Sequence, residues 1–75
     1  MLGVSGVYHS NRPIVVFSDE IMRKIEETSN ATITDWYLTS TFSKFSVVTG
    51  GEVVEIRILQ IPGGYIVHER TTSKS

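Results

Sequence analysis

The stretch FSKFSVVTGGEVVEIRILQI, Phe42–Ile61, decides how this chain folds. Its β-branched and aromatic residues favour extended backbone. Gly50-Gly51 interrupts it with the pair that a two-residue hairpin turn prefers, because both turn positions take positive φ. Such a turn sets Thr49 opposite Glu52 and fixes the register behind it. On one face Val47 then meets Val54 and Phe45 meets Ile56; on the other, Ser46 meets Glu55 and Phe42 meets Leu59. Apolar faces apolar without adjustment. One pair dissents. Lys44 lies diagonal to Glu55 but directly opposes Arg57.

Downstream, Pro62-Gly63-Gly64 marks a second turn. Pro62 suits a first loop position and Gly64 a left-handed third, so a three-residue loop with a bulge is expected. Ile61 then faces Tyr65, Leu59 faces Val67 and Arg57 faces Glu69, whereas a shift of one residue pairs Ile58 with Val67. Either way the C-terminal half is an antiparallel meander. Its middle strand is apolar on both faces, with Val54, Ile56 and Ile58 on one and Leu59 and Ile61 on the other. One short helix covers one face only. The N-terminal segment or a second chain is expected to cover the other.

Working back toward the N-terminus, Thr32–Leu38 reads as a strand with a bend or bulge at Ser40-Thr41. Ser18 reads as a helix N-cap, followed by Asp19 and Glu20 in the first turn, where carboxylates favour the helix dipole. Ile21, Met22 and Ile25 form the apolar stripe, and Thr28-Ser29-Asn30 ends it. Pro13 introduces Ile14-Val15-Val16-Phe17, a β-branched run that reads as a buried strand. Leu2–Tyr8 is a weaker strand, and the two are expected to form a hairpin. The predicted fold is α+β: a four- to five-stranded, mostly antiparallel sheet with one short helix, in the order β(β)-α-β-β-β-β. Residues 1–70 form the single domain, and 71–75 a polar, frayed tail.

A net charge of -1 over 75 residues supplies neither the basic excess that holds a phosphate backbone nor an acidic excess that imitates one. Cysteine is absent, which excludes thiolate chemistry and fits a reducing compartment. No apolar run approaches the length of a membrane span, and Met1-Leu2-Gly3-Val4 lacks the features of a secretion signal. The expected location is cytoplasmic. A core this small supplies about 3–5 kcal/mol, so self-association is an expected source of further stability.

No catalytic residue, cofactor or metal is expected. His9 and His68 are the two histidines, and neither has a second at helical metal-ligand spacing. The function expected from these features is that of a small regulatory or adaptor-type protein that binds another protein or itself as a homo-oligomer. Trp36, Leu59, Ile61 and Tyr65 are its candidate contact residues. Trp36 is singled out because an aromatic at a sheet margin commonly anchors an interface. The alternative is a nucleic-acid binder or small ribonuclease using Lys44, His68 and Arg70 beside an aromatic. His68 and Arg70 alternate onto one face of their strand, and Glu69 onto the other.

Overall fold

A computed structural model describes residues 2–73. In chain order the elements are β1 (Gly6–His9), α1 (Ile14–Thr28), β2 (Thr32–Leu38), β3 (Phe42–Thr49), β4 (Glu52–Ile61) and β5 (Gly64–Ser73). All five strands join one antiparallel sheet in the order β1-β5-β4-β3-β2, with α1 on one face. This is the α+β architecture that the meander implies.

The first hairpin follows the glycine pair residue for residue, from Thr49↔Glu52 out to Phe42↔Leu59. Gly50 and Gly51 take φ of 55° and 81°, as a turn with two left-handed positions requires. The second hairpin departs from the three-residue expectation. Ile61 pairs with Gly64 and Ile58 with Val67, so only Pro62 and Gly63 form the loop. Pro62 cannot take positive φ, and Gly63 at φ 84° completes the pattern of a type II turn. Gly64 is the first residue of β5. A Cβ there would lie 1.9 Å from the carbonyl oxygen of Tyr8.

Helix α1 starts at Ile14 rather than after Ser18. Ile14, Phe17, Ile21 and Ile25, with Ser18 and Met22, line one buried stripe. Burying Ile14 and Phe17 is worth about 1.5–3 kcal/mol each, more than the few tenths that β-branched residues cost a helix. The amides of Val16 and Phe17 donate to the Pro13 carbonyl at 3.1 and 3.0 Å. Pro13 stands where no amide donor is needed. The expected N-terminal hairpin therefore does not form, and β1 pairs with β5 instead. Ser18 is no cap. It is fully buried and hydrogen-bonds to the equally buried Ser43 at 2.7 Å. Asp19 and Glu20 fall beyond the first turn and pair with Arg23 and Arg12.

Between α1 and the sheet lie Phe45, Val47, Val54, Ile56, Ile58, Tyr65 and Val67, joined by Val4. Phe17 stacks on Tyr65 at 4.5 Å between centroids, and Tyr8 meets Phe17 edge-on. Strand β5 runs on to Ser73, pairing Thr71 with Val54 and Thr72 with Val53, through residues expected to fray. Residues 74 and 75 of that tail lie outside the described residues.

Candidate functional site

Register alone determines what the uncovered face carries. Val7 pairs with Ile66, Ile66 with Leu59 and Leu59 with Phe42. These four side chains form an apolar row across β1, β5, β4 and β3. Leu59 is 50% exposed and Ile66 39%. The Tyr37 ring extends the row toward β2, with its centroid 6.3 Å from that of Phe42. Ile61 lies two residues beyond Leu59 on the same face and is half-buried. Neither β1 nor α1 covers this row.

One step along the strands, about 7 Å away, runs a different row. His68 pairs with Arg57, Arg57 with Lys44 and Lys44 with Tyr37. A third row sets Arg70 beside Glu55. Among the described residues that the ladder places on this face, Glu55 is the one carboxylate, and its Oε1 accepts from Arg57 Nε at 2.8 Å. The opposite side of the molecule is differently charged. Helix α1 carries Asp19, Glu20, Glu26 and Glu27 against Arg23 and Lys24. A chain of net charge -1 thus segregates its charges, with cations in excess on the open face.

Of the expected contact residues, Leu59 and Ile61 lie on this face. Trp36 is half-exposed but stands apart, in a bulge where Asp35 and Trp36 together oppose Phe45. Asp35 adopts φ 54° there. Tyr65 lies on the other face of the sheet. At 1% exposure it belongs to the core, held by Phe17 and by its hydroxyl donating to the Arg12 carbonyl, and it presents no side-chain surface to a partner.

Lys44, His68 and Arg70 do share the open face, with Arg57 between the first two. Glu69 turns to the covered side, where its Oε1 accepts the Leu2 amide at 2.8 Å. Among the described residues no three His, Asp or Glu side chains gather as metal ligands. No helix among them is long and apolar enough to cross a membrane. Sequence reasoning passed over Arg57, Ile66 and Val7 as site members. The signal was available for Arg57 in the like-charge conflict with Lys44; for Val7 and Ile66 it depended on the β1–β5 pairing, which no local pattern announces.

No protein-family model, no curated protein and no solved structure matches the chain.

Proposed function

We propose that this is a small regulatory or adaptor-type protein that acts by docking another protein molecule on the open face of its sheet, a second copy of the chain being one such molecule. The observation that carries this reading is the apolar row Val7–Ile66–Leu59–Phe42, uncovered and flanked by charge. Contiguous exposed apolar side chains with a polar rim mark interaction surfaces. The absence of cysteine fits action in the cytoplasm.

A photo-crosslinking side chain at position 59, compared with one at Lys24 on the helix, tests it. Protein adducts in native extract, or dimers of the purified chain, are expected from position 59 and not from position 24. Equal labelling at both positions, or none at either, removes the reading.

A second reading has its own support: Lys44, Arg57, His68 and Arg70 on one face beside Tyr37 and Phe42 resemble the basic and aromatic surfaces that hold single strands. Extended to cleavage, it uses His68 as acid or base with Lys44 in support; their strands lie two spacings apart, about 10 Å, a gap that side chains on one face can close around a phosphate.

A further inference from the structure

The open face selects its occupant by charge as well as by apolarity. The basic row sets Arg57 directly opposite Lys44, with His68 on the other side of Arg57. Like charges opposed across a ladder destabilise it. Glu55 bonds Arg57 through the 2.8 Å pair and stands opposite Arg70, and among the described residues no carboxylate on that face is paired directly with Lys44.

Resting on the open-face reading above, we propose that the occupant is an acidic amphipathic segment of another protein, laid across the strands. Its apolar side chains cover Val7, Ile66, Leu59 and Phe42, and its carboxylates meet His68, Arg57 and Lys44. The dimensions suit a short helix. The apolar row crosses three strand spacings, about 14 Å, which is the length of nine or ten helical residues. The basic row runs parallel to it about 7 Å away, within the diameter of about 10–12 Å of a helix with its side chains. Recognition of this kind lays an apolar helical stripe into a surface and lets flanking charges set orientation.

A second copy fits less well. Its open face brings the same excess of cations, and the one carboxylate that the ladder places there among the described residues is already engaged by Arg57. A single-stranded nucleic acid answers the cations but not the aliphatic row, since bases stack on aromatic rather than on valine, leucine and isoleucine side chains.

The test uses fluorescence anisotropy with three labelled probes. One is a helix-stapled peptide of about a dozen residues, with leucines at i, i+3, i+4 and i+7 and glutamates along one flank. The second replaces those glutamates by lysines, and the third is an oligo-dT of similar length. The glutamate peptide is expected to bind saturably and to weaken by about tenfold or more as salt rises, because exposed charges are screened. Lys44→Glu and Leu59→Ser are each expected to weaken it by roughly tenfold, the scale of one lost charge-assisted or buried apolar contact.

A merely structural role for Lys44 separates cleanly. Lys44→Glu removes the opposition with Arg57, so its melting temperature is expected to hold or rise while binding falls. Equal affinity for the lysine peptide overturns the inference, as does tighter binding of oligo-dT. A dimer whose interface covers Leu59 also overturns it, while leaving the open-face reading standing. Failure of the glutamate peptide despite adducts at position 59 removes the acidic segment alone; no adducts removes both.

Discussion

Ser18 and Ser43 show how much a single residue's meaning depends on what meets it. Both hydroxyls are fully buried and each is the other's partner, linking mid-helix to the sheet. Ser43→Ala leaves the Ser18 hydroxyl without this bond and is expected to destabilise the fold by about 1–3 kcal/mol in denaturant titration, whereas Ser18→Ala in the same chain recovers part of that loss. In the sequence, Ser18 before Asp19-Glu20 has every local mark of a cap. The pairing 25 residues away that makes it a core residue has no local mark at all. Tyr65 is the same lesson in reverse. An aromatic beside a glycine turn looks available to a partner, until Phe17 stacks on it and Arg12 supplies the acceptor for its hydroxyl.

Among the elements, the two hairpins divide according to how their turns are chosen. Gly50-Gly51 permits one favoured geometry, so the whole β3–β4 register was legible from two residues. Pro62-Gly63-Gly64 offers two glycines for one left-handed position, and the selection is made by β1, which packs the Tyr8 carbonyl against Gly64. Gly64→Ala is therefore expected to loosen β1 from β5, read as faster amide exchange at the residues of β1 that pair with β5, with β3 and β4 less affected. Gly63→Ala strains a φ of 84° instead, with an expected loss of about 1 kcal/mol and no change in exchange pattern. Helix α1 was legible from Asp19 onward and not in its first turn. Ile14-Val15-Val16-Phe17 has β propensity and helical periodicity together, and the burial of Ile14 and Phe17 under the tertiary fold decides between them.

At the scale of the whole molecule, adjacent residues of β4 have opposite consequences. Ile58 is fully buried and Leu59 half-exposed. Ile58→Ala is expected to cost about 2–5 kcal/mol, comparable to the whole stability of a domain this small, so the variant should be largely unfolded by circular dichroism. Leu59→Ala is expected to shift stability by no more than about 0.5 kcal/mol. The two-faced apolarity of this strand was legible from alternation alone. What covers one face and leaves the other open was not, because β1 joins the sheet's edge through β5 instead of folding over it.

The bulge in β2 bears on a different property, the colloidal behaviour of the chain. Strand β2 is a sheet edge, and an unbroken exposed edge is a template on which further strands assemble into fibrils. Asp35, left-handed at φ 54°, breaks the edge between Thr34 and Tyr37. An incoming strand finds three residues in phase, Thr32–Thr34, before its ladder is thrown out of step. Deleting Asp35 restores the alternation and is expected to make solutions scatter light and bind thioflavin on standing, where the parent chain stays clear. The distortion that sets Trp36 out of line thus keeps the edge closed to endless copies of itself while the face remains free for a single guest.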